Sequence, residues 1–349
     1  MVYGHIIFFI IGFALLVEGS NFFVAAASRI AKKLGVSDFI IGLTLVAVGT
    51  SIPEFINSIV ASLKGESNFI LGNIIGSNIT NIGFILGISA IISVIVIKKT
   101  MLIRDAYVMI SSALIFYLFA LNGSLGRAEG ILLLLIYMSF IIFLVSSKKA
   151  ESTYNLEDFL EYFLHFGYLT TIRKKTLERK KEREITSKEK KREMALRKGL
   201  IKDFLIIIFS GIAVVYGAKY VVAESVQFAE LLGVPTEIIG LSIVALGTTL
   251  PELMVSLRGS MKGFGDLVIG NIVGSNIANI LLILGVSSIL RPIDIGARTL
   301  FYTAPFMIIM SLILIYFMRT EWKLSKAEGI GLLILHFAFM VSIYLIFRN

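Results

Sequence analysis

Residues 41–54 read IGLTLVAVGTSIPE, and residues 239–252 read IGLSIVALGTTLPE. Nine of the 14 aligned positions are identical. Further on, residues 72–82 (GNIIGSNITNI) match residues 270–280 (GNIVGSNIANI) at nine of 11 positions. Both matches have an offset of 198 residues. It also holds upstream, where Gly19 matches Gly217, Val24 matches Val222, and Gly35-Val36 matches Gly233-Val234. Agreement at one fixed offset marks a duplicated unit.

The duplicated segments lie in a very apolar chain. Of its 349 residues 56% are hydrophobic and 16% charged, with a mean hydropathy of +0.88. Soluble domains carry roughly 25% charged residues. Apolar runs of about 20 residues recur along the chain, which predicts membrane-spanning helices rather than barrel strands. Each half reads as five spans: 4–32, 36–63, 67–97, 101–121 and 127–147, then 201–231, 236–258, 264–290, 298–318 and 326–347. Two copies with an odd number of spans must enter the bilayer in opposite directions. The expected fold is therefore an all-α membrane protein of ten transmembrane helices, built as two five-helix inverted-topology repeats, as in many secondary transporters. Its parts are residues 1–147, a linking loop 148–199, and residues 200–349.

The loop holds 15 Lys/Arg and nine Asp/Glu, a net of +6 in a chain of +9. By the positive-inside rule it is cytoplasmic, with Arg29, Lys32, Lys33, Lys98, Lys99 and Arg104 on the same side. Both termini then face outward. Arg319, Lys323 and Lys326, after the ninth span, count mildly against this. Within the loop, Leu156, Phe159, Leu160, Phe163 and Leu164 recur at helical spacing, and residues 173–198 form a charge-dense helical stretch. A solvated topology anchor is the plainer reading of the basic stretch, and acidic-lipid binding the functional one. No cleavable signal is expected, because no basic region precedes the apolar residues 6–16.

The composition also narrows the chemistry. There is no Cys, and His5, His165 and His336 are far apart. Zinc and copper want nitrogen or sulfur ligands, so any bound cation should be hard and oxygen-ligated. An intramembrane metalloenzyme would want a histidine cluster, and neither repeat contains one. The positive charge is concentrated in one membrane-flanking loop, which argues against nucleic acid as a partner.

Glu54 and Glu252 stand at equivalent positions inside apolar spans. An ionisable residue at the bilayer centre costs roughly 2.5–3.5 kcal/mol on insertion scales. No Lys or Arg lies in either motif or its flanking apolar turns to offset that. Pro53 and Pro251 precede the two glutamates, and proline removes an N–H and clashes with the carbonyl four residues back. Each span should break there, freeing carbonyls around Ala47–Thr50 and Ala245–Thr248. Lipid tolerates such backbone only where it lines a cavity. The third span of each half opens with Gly-Asn-Ile-x-Gly-Ser-Asn. Its glycines (Gly72, Gly76, Gly270, Gly274) suit close helix packing. Its asparagines (Asn73, Asn78, Asn81 and Asn271, Asn276, Asn279) bring amide oxygens to membrane depth. Some of these should bond across helices, while the deepest, Asn81 and Asn279, should face an ion. With hydroxyls from Ser51, Thr249, Ser77 and Ser275, the set is all oxygen. It suits calcium, which takes six to eight oxygens in irregular geometry, or several sodium ions; magnesium fits less well.

These residues resemble the cation/calcium exchanger superfamily, in its sodium/calcium exchanger branch. The resemblance covers both halves, and GTSIPE with GNIIGSNITNI and GTTLPE with GNIVGSNIANI carry it. It implies antiport of calcium against sodium, with ions held between the second, third, seventh and eighth helices and the first and sixth moving as a gate. By the same match, Glu54 and Glu252 would be the shared carboxylates. Thr50 and Thr248 would give backbone oxygens to calcium. Ala47, Ser51, Ser77, Ala245, Thr248 and Ser275 would line sodium positions, with Asn81 at the centre. Asn279 departs from members with Asp there, since it offers an oxygen but cannot ionise. The 52-residue loop leaves no room for the calcium-sensing domains of animal exchangers. No enzyme activity, cofactor or obligate protein partner is expected. Calcium, sodium and the cell membrane, with acidic lipid at the loop, are the expected partners. A proton/calcium antiporter is the alternative.

Overall fold

The computed structural model describes residues 2–98, 105–146, 156–164, 187–231 and 247–348. The start of the expected seventh span, Ala245, His165 and most of the 148–199 loop lie outside these residues.

The first half opens with α1 (Val2–Leu34). The second span is two helices, α2 (Asp38–Thr50) and α3 (Ile52–Lys64), meeting at 47°. Next come α4 (Ser67–Ile92), strand β1 (Ile95–Val96), α5 (Tyr107–Ala120), β2 (Ser124–Leu125) and α6 (Arg127–Ser146). From the loop come α7 (Leu156–Leu164) and α8 (Ser187–Leu231), which continues into the sixth span. The second half continues with α9 (Leu250–Met261), α10 (Gly265–Leu290), β3 (Ile293–Asp294), α11 (Thr299–Arg319), β4 (Lys323–Leu324) and α12 (Lys326–Arg348). Among the described residues seven helices are long and apolar enough to cross a membrane, and the bent α2–α3 pair makes an eighth. Helix α5, at 14 residues, is apolar but shorter.

The break between α2 and α3 follows from its residues. Ser51 leaves helical geometry at φ −82°, ψ 11°, and Pro53 takes an early position in α3, where its missing N–H is harmless. In the second half Thr249 has nearly the same conformation, φ −88°, ψ 1°, ahead of Pro251 in α9. The same turn ahead of a proline therefore opens a helix in both halves, the residues before Gly247 lying outside the description.

The third spans are the centre of the molecule. In α10, 94% of the apolar window is buried, and in α4 72%, against 28% in α1 and in α8. Helix α2 lies so close on α10 that a Cβ at Gly42 would stand 2.5 Å from the Leu267 carbonyl, and one at Gly274 would collide with that of Leu43. The expected close packing at Gly270 and Gly274 is therefore present. No described residue approaches a Cβ at Gly72 or Gly76, whose matching segment lies outside the description. Helices α1 and α8 pack along their length, nearly backbone to backbone at Gly12 and Gly217. Asp203 holds Arg29 at 2.8 Å and Lys33 at 2.5 Å toward one end of this pair, and His5 meets Glu224 at 2.6 Å toward the other.

The third span was expected to run to residue 97, but α4 ends at Ile92 because the chain turns extended. Strand β1 pairs antiparallel with β4, and β2 with β3. Each ribbon joins a strand of one half to a strand of the other, and the two ribbons exchange roles when the halves are exchanged. Their register also corrects one reading. Lys323 sits opposite Val96, so the loop after the ninth span shares a side with Lys98. Its cations support the expected orientation rather than dissent from it.

In the loop, α7 is helical as expected and packs on α6 through Phe159, which touches Phe140 and Phe143. Of residues 173–198, those from Ser187 onward are helical and belong to α8.

Candidate cation site

The proline-led starts of α3 and α9 and the two third spans meet in the protein interior. Glu54 lies in the first turn of α3 and Glu252 in the first turn of α9. Each is 1% exposed. Thr248 stands beside Glu54, and Thr50 and Ser51 beside Glu252. The hydroxyl of Ser51 donates to Glu252 Oε1 at 3.0 Å, so the break in one half holds the carboxylate of the other.

Asparagines link the spans around the carboxylates. Asn73 donates to the Glu54 carbonyl at 3.2 Å and to Ser58 at 3.0 Å, tying α3 to α4. Its counterpart Asn271 donates to Ser256 at 3.1 Å and accepts from Thr50 at 3.2 Å. Asn81 Nδ2 donates to Asn276 Oδ1 at 3.0 Å, and Asn279 Nδ2 to Asn78 Oδ1 at 2.8 Å. Asn81 opens a π-helical segment in α4 and Asn279 stands at the start of the equivalent one in α10. Such segments mark functional sites in many helices. They were not read from the sequence, which carries no proline or charge there to signal them.

Among the described residues no hydrogen bond within 3.5 Å reaches several buried oxygens of this region: both of Glu54, whose neighbouring hydroxyl is that of Thr248, Glu252 Oε2, Asn81 Oδ1, Asn279 Oδ1 and Ser275 Oγ. A buried unsatisfied polar group costs roughly 1–3 kcal/mol, and a charged one more. A hard, oxygen-seeking cation is the kind of group that satisfies such oxygens. No group of three or more His, Cys, Asp or Glu occurs among the described residues, so the set is rich in neutral oxygens and carries only two carboxylates.

The other expected residues divide. Thr50, Ser51, Thr249 and Ser77 are buried here, Ala47 is fully buried, and Thr248 is half-buried. The Ala47 carbonyl was expected to be freed by the break. Instead it accepts from the Ser51 amide at 3.0 Å, because the helix holds its hydrogen bonds through Thr50. The Thr50 hydroxyl lies 3.3 Å from the same oxygen, so both of its lone pairs have a donor nearby. The sequence reading did not assign roles to Ser58 and Ser256, whose spacing of four residues from each glutamate was the available signal.

A multi-span helical protein with broken spans, and with acidic and amide oxygens gathered at the breaks, belongs to the ion transporters. The profile of a family described as "Sodium/calcium exchanger protein" matches residues 4–146 and 202–345, one stretch in each half. The sodium/calcium exchanger MaX1 of Methanosarcina acetivorans is 42% identical over 99% of this chain and 100% of that protein. The putative antiporter CaxA of Alkalimonas amylolytica is 34% identical over 98% of each. Among solved structures, one of the sodium-calcium exchanger NCX_Mj superposes with a TM-score of 0.78 at 29% identity, covering 98% of this chain and 99% of that one. The chain belongs to the sodium/calcium exchanger family, and it is a membrane transporter rather than an enzyme.

Proposed function

We propose that this protein exchanges calcium for sodium by alternating access to one site at the middle of the membrane. The observation that carries this reading is the set of buried, unpartnered oxygens on Glu54, Glu252, Asn81, Asn279 and Ser275. Two carboxylates neutralise one divalent ion. The neutral oxygens around them, from Thr50, Ser51, Ser77, Thr248 and Thr249, complete a shell of the kind calcium accepts. The same oxygens serve sodium ions in its place, with Ala47 and Ala245 among their lining. Calcium and sodium are cargo here, and the chemistry asks for no resident cofactor.

The architecture in this reading is ten spans in two inverted halves. Its support is the duplicated break, the reciprocal β-ribbons and the pairing of each half's asparagines with those of the other. The 148–199 loop lies in the cytosol and both termini outside, because the basic residues gather on that side.

The deciding experiment is calcium uptake into proteoliposomes with sodium inside and none outside. Uptake that requires the outward sodium gradient supports the proposal. Uptake that ignores sodium and follows a proton gradient replaces it with proton coupling.

A further inference from the structure

A carboxamide presents an oxygen on one side and N–H donors on the other, and its residue type does not say which faces a site. In this protein a chain of hydrogen bonds decides it. Asn78 Nδ2 donates to the Asn276 carbonyl at 3.3 Å and lies 3.5 Å from Met307 Sδ. Asn276 Nδ2 donates to the Asn78 carbonyl at 3.4 Å and lies 3.8 Å from Met109 Sδ. A carbonyl and a thioether accept but never donate, so both amides must turn nitrogen toward them. Their oxygens are left for Asn279 and Asn81, which must in turn offer Nδ2, as observed at 2.8 and 3.0 Å. The Oδ1 atoms of Asn81 and Asn279 are thereby turned away from this network, buried and without a partner among the described residues.

We infer that Asn78 and Asn276 are positioning residues that set the polarity of the cation site, obliging Asn81 and Asn279 to present oxygen rather than N–H to the ion. The inference rests on the site reading above. Without that constraint either amide can turn over and aim two donors at a cation, which repels it. The network is reciprocal between the halves, so both ends of the site are fixed by one device.

The test replaces each positioning residue by a small polar one too short to reach its partner, Asn78→Ser and Asn276→Ser. Loss of such a supporting contact costs on the order of 10–100-fold in metal affinity. Half-saturation for calcium should rise by that factor while the rate at saturating calcium is kept. The discriminating readout is rescue. A carboxylate carries oxygen on both sides and needs no orientation, so Asn78→Ser combined with Asn279→Asp, and Asn276→Ser combined with Asn81→Asp, should recover most of the lost affinity. A merely structural role lowers yield and maximal rate and gives no rescue. Half-saturation within about two-fold of the parent in the serine variants, or no recovery with the aspartates, overturns the inference. If one serine variant does not fold, its counterpart carries the same test. Glu54→Gln is measured alongside. If it leaves calcium binding intact, the site reading itself falls. If it abolishes binding while the serine variants are silent, only this inference falls.

Discussion

Among the described residues, three of the four carboxylate oxygens of Glu54 and Glu252 have no hydrogen-bond partner within 3.5 Å, although each residue is 1% exposed. A buried charge without compensation costs several kcal/mol even after relaxation, on the order estimated for broken buried pairs. A protein retains such groups when an ion supplies the missing interaction. Neutralising either glutamate should therefore remove half the countercharge for calcium. Glu54→Gln and Glu252→Gln are each expected to abolish sodium-driven calcium uptake in proteoliposomes, and retained uptake in both would refute the assignment. Asn279 tests the neutral part of the set. Asn279→Asp alone adds a carboxyl group opposite Asn78 Oδ1, an acceptor, so transport should persist with an altered cation or pH dependence. An unchanged profile would make Asn279 a packing residue.

At the scale of elements, the broken span and the tightly packed third span serve one purpose. The break sets Glu54 at the start of α3, where the positive end of a helix dipole favours a carboxylate. The glycines of α10 let α2 lie against its backbone, carrying Thr50 to within 3.2 Å of Asn271. A side chain at Gly274 must push α2 away, because a Cβ there collides with the Leu43 carbonyl. Gly274→Val is expected to destabilise the protein by roughly 1–3 kcal/mol, the usual cost of overpacking, and to lower the thermal midpoint measured in detergent. The same substitution at Gly76 meets no described residue, and its midpoint relative to Gly274→Val compares the two halves directly. The break was legible because its cause is local: a proline four residues past a glycine, followed by a buried acid. The π-helical segments at Asn81 and Asn279 were not legible, since nothing in their residues departs from an ordinary helix.

At the scale of the molecule, the halves are held together by contacts that exchange when the halves exchange. The ribbons β1–β4 and β2–β3 and the asparagine network follow this rule. Orientation in the membrane is open to direct measurement, because the chain has no cysteine of its own. A single cysteine introduced at Lys175 should react with an impermeant thiol reagent only from the cytosolic face, and one at Asn349 only from outside. The opposite pattern would invert the proposed topology.

The amino-acid sequence by itself determined the duplication, the apolar spans, the two proline breaks and the acids placed beside them. Each is written within one short stretch or at one constant offset, where span length and a missing N–H act without help from distant residues. Only the tertiary structure decided which way the amides of Asn81 and Asn279 point and which loops share a side. Those outcomes depend on partners about 195 to 230 residues away, and such partners exist only once the helices have packed. An amide's orientation has no signature in its own residue, since it is set by whichever acceptor the fold brings to its nitrogen.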